Sequence, residues 1–140
     1  MINPLLEQFN TPFNTAPFNK ITNEHFLPAI KEAIEIGKQE INTITNQSEA
    51  PNFENTIVAL DKVGVLINTI SSIFFNLNSA ETNDKIQELA QEISPLLSEY
   101  SNDILLNEAL FEKIKTVYNE KNSLTSVSYT HLTLPTTPNL

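Results

Sequence analysis

Cysteine is absent from the 140 residues, which removes disulfides, a thiol nucleophile and thiolate metal sites together. Arginine is absent as well, since all 8 basic side chains are lysine, and they face 17 acidic ones for a net charge of −9. A chain with that balance and no guanidinium fork is a poor phosphate-backbone binder, so nucleic acid is set aside as a partner. Glycine occurs only 2 times. That excludes fibrous glycine repeats, and Gly37 and Gly64 stand too far apart to build a phosphate-cradling loop. The histidines number 2, His25 and His131. A zinc site needs three or four protein ligands, usually several of them His or Cys, and HExxH does not occur. GxSxG is missing too, and a Ser–His–Asp set would have to recruit His25 from a helix end.

What is present reads as one domain or a piece of a larger one. Residues 1–14 have neither a basic n-region nor an apolar h-region, so no signal peptide is expected. The longest apolar run, 63–75, is interrupted by Asn68, Thr69, Ser71 and Ser72. It falls short of the roughly 18 residues that span a bilayer and reads as a buried helix, with no membrane partner. The expected location is the cytoplasm, although a periplasmic protein without disulfides would fit the same composition.

Residues 1–20 carry Pro4, Pro12 and Pro17, which forbid a long helix. Leu5, Leu6, Phe9, Phe13 and Phe18 suggest an irregular arm that pins its aromatics into grooves of a folded body. Residues 21–125 read as helical throughout. Thr22 or Asn23 caps the first helix, with Glu24 in its first turn. Pro28 either kinks that helix or starts a second. Ile30, Ile34, Ile41 and Ile44 then recur at helical spacing. Gly37 costs this helix about 1 kcal/mol relative to Ala, so it is expected to mark a close contact. After a loop at 45–51, a second helix is predicted from Asn52 or Phe53 to about Asn78, some 39 Å at 1.5 Å per residue. Its stripe of Phe53, Ile57, Leu60, Val63, Ile67, Ile70, Phe74 and Leu77 is broad enough to need more than one neighbour. Thr82 opens a third helix with Ile86, Leu89, Ile93, Leu96, Leu97 and Tyr100 inward, bent at Pro95 and ending at Asn102 and Asp103. A fourth spans about Asn107 to Lys121, with Leu110, Phe111, Ile114, Val117 and Tyr118 inward. The fold class is therefore all-α, as antiparallel helical hairpins or a bundle.

Residues 126–140 break this pattern. All 25 charged side chains (8 + 17) lie at or before Lys121, and the helical period stops. A strand at 126–134 would have no partner. The string VSYTHLTLPT resembles one reading frame of a sequencing-library transposon adapter, so the tail is read as non-native, with the authentic chain stopping near Thr125. Within the body, Glu32/Glu35, Glu88/Glu92 and Glu108/Glu112 read as solvated helical faces. Glu54 is explained by the dipole at a helix start, and His25 reads as a helix-start or packing histidine. No catalytic, cofactor-binding or metal-ligating residue is assigned.

The order of several segments nevertheless resembles one family. NPLL at 3–6, TPF at 11–13, ITNEHFLPAI at 21–30, PNFENTIVAL at 51–60, FFNLNSAET at 74–82 and LNEALFEKIKTVY at 106–118 are similar to the N-terminal region of the M3-family zinc metallopeptidases, the peptidyl-dipeptidases and oligopeptidases. The resemblance implies the front portion of a much longer, mostly helical fold with a deep channel. In that fold HExxH and a distant glutamate hold zinc, which activates water against short peptides and, in the peptidyl-dipeptidases, releases dipeptides from the C-terminus. None of those metal or catalytic residues maps onto this chain. The implied partner is then the missing C-terminal catalytic portion of the same polypeptide, and the chain alone is expected to be inactive. Its apolar stripes, deprived of neighbours, would favour aggregation. The rival reading is a stand-alone helical interaction module without enzymatic activity.

Overall fold

The computed structural model describes residues 3–120. The adapter-like tail at 126–140, with His131 and the strand considered at 126–134, lies outside the described residues, as do residues 121–125. The described chain is all-α: helix α1 spans Asn23–Asn46, α2 Ala59–Asp61, α3 Val65–Ala80, α4 Asp84–Leu105 and α5 Glu108–Asn119. A 3-10 turn at Pro12–Asn14 precedes them, and a π-helical segment at Phe53–Val58 leads into α2. The residues form two compact units, one from 3–39 with 64–103 and one from 40–63 with 104–120.

The first unit is built on α1, α3 and α4. Its buried positions keep helical spacing: Phe26, Ala29, Ile30, Ala33 and Ile34 on α1, Ile67, Ile70, Ile73 and Phe74 on α3, and Ile86, Leu89, Ile93 and Tyr100 on α4. The α4 set steps by three, four and seven residues, the narrow stripe of a helix packed along one seam. Phe26 and Phe74 meet edge to face with centroids 5.1 Å apart, the favoured aromatic geometry. Asn83, one residue beyond the expected Thr82, caps α4 by accepting from the Ile86 amide at 3.0 Å. Pro28 and Pro95 both sit inside continuous helices, and α4 runs past Asp103 to Leu105. At Gly37 a Cβ would lie 2.2 Å from the Tyr100 hydroxyl, so the glycine does mark a close contact.

The second unit gathers Ile41, Ile44 and Leu110, with Ala59, Leu60, Val63, Ile104 and Ile114 packed against them. Its loop is organised by a reciprocal pair. The Asn52 side chain accepts from the Asn55 amide at 2.9 Å, and the Asn55 side chain accepts from the Asn52 amide at 2.8 Å. Asn55 also donates to the Ala50 carbonyl at 3.0 Å, and the buried Thr56 hydroxyl donates to its side-chain oxygen at 2.9 Å. Asn55→Ala strips the three bonds its side chain makes, leaving only its amide on the Asn52 side chain, and is expected to cost about 1–2 kcal/mol. Urea unfolding followed by circular dichroism measures it, and a change below about 0.3 kcal/mol would show the pair to be idle. Asn107 caps α5 through the Leu110 amide at 2.9 Å.

Three expectations need correction. The helix predicted from 52 to 78 is broken at 62–64. Gly64 adopts φ 74°, a left-handed conformation that ends a helix and that L side chains reach only at a cost of about 1–2 kcal/mol. By length and composition alone, Phe53–Ala80 passes the test for a membrane span. Its uninterrupted α-helical part is only the 16 residues of α3, about 24 Å against a hydrocarbon core of about 30 Å. Second, the arm buries Leu5, 1 % exposed, but leaves Phe13 97 % and Phe18 56 % exposed. Phe13 and Asn14 take positive φ of 61° and 54°, which turns the Phe13 ring outward. Third, Phe111 and Tyr118 were expected inward, yet they are exposed while Leu110 and Val117 are buried. Phe111 instead carries the Lys115 ammonium 5.9 Å above its ring.

Candidate functional site

The densest polar chemistry in the first unit surrounds the start of α1. The His25 Nδ1 accepts from the Thr22 amide at 3.0 Å, and the His25 amide donates to the Thr22 carbonyl at 3.1 Å. The ring thus makes one half of a capping box, with histidine in the place usually held by Glu or Gln. The Thr22 hydroxyl donates to Glu24 Oε2 at 2.9 Å. That bond, chiefly, lowers the Glu24 pKa, helped by the backbone amide of Glu24, by His25 and by Lys85. Asn3 ties the arm to the same place, donating to the His25 carbonyl at 2.8 Å and accepting from the Leu5 amide at 3.0 Å. His25 is thereby explained as a helix-start residue. Its Nδ1 is engaged with backbone, and a nitrogen so occupied is not offered to a metal.

The other residues weighed from sequence are solvated. Glu32, Glu35, Glu54, Glu88, Glu92, Glu108 and Glu112 are all exposed. Lys115 and Glu112 pair at 3.1 Å, and Lys38 and Asp103 pair at 3.1 Å. Asp103, by hydrogen bond and charge, holds the Lys38 ammonium above its ordinary pKa, with Glu35 and Glu99 adding to the effect. Exposed pairs of this kind contribute little to stability. Among the described residues no group of three or more His, Cys, Asp or Glu could hold a metal ion. The Asn52–Asn55 pair went unrecognised in the sequence, because the usual capping-box signal asks for Glu or Gln at the third position.

Clefts also open on the first unit. One of about 540 Å³ lies between the arm and α3, lined by Phe9, Asn14, Ala16, Val65, Asn68 and Thr69 among others. Another of about 320 Å³ lies by Phe18, Thr22, Phe26, Leu77 and Ile86. In the second unit a cleft of about 360 Å³ includes Glu40, Ile44, Glu54 and Lys62. None of the three brings together a nucleophile, a base and an oxyanion donor in the manner of an acyl-transfer site.

No family model matches the chain. Individual proteins do. The dipeptidyl carboxypeptidase of Salmonella typhimurium is 39% identical over 122 residues, which is 87% of this chain and 18% of that protein. The dipeptidyl carboxypeptidase of Escherichia coli is 37% identical over 123 residues, 88% of this chain and 18% of that protein. Oligopeptidase A of Escherichia coli is 33% identical over 112 residues, 80% of this chain and 16% of that protein. The chain thus spans less than a fifth of the length of these relatives. With this likeness the chain belongs to the M3 family of metallopeptidases.

Proposed function

We propose that this chain is the front helical portion of a zinc-dependent peptidyl-dipeptidase that hydrolyses short peptides. The observation that carries the reading is the likeness to two dipeptidyl carboxypeptidases along about nine-tenths of the chain, at 39% and 37% identity. The zinc ligands would belong to the polypeptide outside this stretch, because the donor set here does not fit a metal: its one described histidine already accepts from a backbone amide. The role of this portion is then architectural. It supplies packed helices, and part of a channel wall or lid, to a catalytic half that it does not itself contain. We place the parent in the cytoplasm, where short peptides await final degradation.

The test is an assay of the full-length parent, purified with zinc, on a blocked hexapeptide with a free C-terminus. Release of C-terminal dipeptides, abolished by chelation and restored by zinc, is the expected result. Internal cleavage would move the reading to a simple oligopeptidase. A zinc-loaded parent that cleaves neither way would sink it, and the stand-alone interaction module would take its place.

A further inference from the structure

The exposed face of the first unit is unusual in what it omits. Residues 8–19 carry no charged side chain, and neither do residues 63–80, in a protein with 25 charged groups (8 + 17). The fold brings these two uncharged stretches together, as the walls of the cleft between the arm and α3. The rim of that cleft is uncharged, with Val65 59 % exposed among the exposed amide and hydroxyl side chains of Asn68, Thr69 and Ser72. Beside it Phe13 is held out by a turn whose geometry is fixed locally. The Asn14 amide donates to the Thr11 carbonyl at 3.0 Å, the Thr15 hydroxyl donates to the Pro12 carbonyl at 3.1 Å, and the Thr11 hydroxyl donates to the Thr15 carbonyl. An aromatic ring held in a left-handed backbone conformation and presented to solvent is a poor surface feature and a good interface anchor.

We infer that this uncharged face, from the Phe13 turn to the outer side of α3, is an internal interface, covered in the parent by polypeptide outside the described residues. The inference rests on the reading of the chain as part of a longer peptidase. Depletion of charge, with Phe13, Val65 and Phe75 exposed among uncharged polar side chains, is how interfaces depart from the rest of a protein surface. The occupant is intramolecular because the matched relatives are more than five times as long as the stretch they share with this chain. Covalent linkage also gives such a segment an effective concentration no free partner matches. A peptide substrate fits less well, since a free C-terminal carboxylate would find no cation on either stretch.

Single cysteines placed in the full-length parent test this through their reaction with a maleimide. The Phe13→Cys and Val65→Cys thiols are expected to react at least about tenfold more slowly in the native parent than in the same variants unfolded in urea, as buried positions do when they react only through opening. That protection should be independent of protein concentration. A Glu88→Cys thiol, on a side chain 67% exposed, checks the reagent. Native rates at either of the first two positions equal to the unfolded rates would overturn the inference. So would protection that vanishes on dilution, which would assign the face to a second copy. Peptidase activity of the parent is read separately, so an inactive but protected parent would remove the proposed function and leave this interface standing.

Discussion

Phe74→Ala is expected to destabilise the first unit by about 3–5 kcal/mol, the range for emptying a fully buried aromatic site. The ring is 1 % exposed. It meets Phe26 edge to face at 5.1 Å and Phe75 at 5.2 Å. A close-packed interior relaxes only partly into a void of that size. Domains of this length are stable by only about 5–15 kcal/mol, so the loss is a large fraction of the whole. The next residue provides the contrast. Phe75 is 36 % exposed and keeps only the edge of its ring on Phe74, so Phe75→Ala is expected to cost about 1–2 kcal/mol, clearly less than Phe74→Ala. Urea unfolding of both variants, monitored by far-ultraviolet circular dichroism, distinguishes them. Equal losses would mean that the burial pattern on α3 is wrong. A double-mutant cycle with Phe26→Ala is expected to return a coupling of about 0.5–1.5 kcal/mol for the ring pair.

That contrast between neighbours also marks how far the sequence could be read. Phe74 falls on the 3.6-residue stripe with Ile67 and Ile70, and all three are buried, because a helix buries whatever its period puts on one face. Helix starts were legible for a related reason. Asn107 offers its side-chain oxygen to the Leu110 amide, and at Thr22 the acceptor is the His25 ring, which takes the Thr22 amide while the Thr22 hydroxyl turns to Glu24. The break at Gly64 was not legible from the stripe, since Leu60, Val63, Ile67 and Ile70 keep helical spacing straight through it. Only the glycine itself carried the signal, as a left-handed stop inside an apolar run. Phe13 and Phe18 misled for the opposite reason. Hydrophobicity says what a side chain prefers, but a five-residue turn fixed by Pro12, Thr11 and Thr15 decides where the Phe13 ring goes. Of the candidate site, the place of His25 at a helix start was legible, and its ring there accepts from the Thr22 amide. The Asn52–Asn55 pair was not, because amide-to-amide capping has no strong sequence signature.

Both glycines of the chain end at one tyrosine, and the two positions should respond differently to the same methyl group. A Cβ on Gly37 would sit 2.2 Å from the Tyr100 hydroxyl oxygen and 2.8 Å from its ring carbon Cζ. Alanine would gain about 1 kcal/mol of helix propensity there. Overpacking opposes it by about 1–3 kcal/mol. The opposing effect wins because Tyr100 is only 7 % exposed, and a ring carbon cannot swing aside as a flexible chain end would. Gly37→Ala is therefore expected to destabilise by up to about 2 kcal/mol, the difference of those two contributions. In a Tyr100→Leu background the obstruction is gone, and the same substitution should become neutral or mildly stabilising. At Gly64 a Cβ would meet the hydroxyl at an ordinary 3.5 Å, and the difficulty is the backbone, at φ +74°. Gly64→Ala should cost about 1–2 kcal/mol for the left-handed conformation, with no relief from Tyr100→Leu. Thermal and urea unfolding of the five proteins (each glycine variant alone, each with Tyr100→Leu, and Tyr100→Leu itself) against the parent sequence decide the matter. Rescue at Gly64, or none at Gly37, would mean that the tyrosine is not what keeps alanine out of α1.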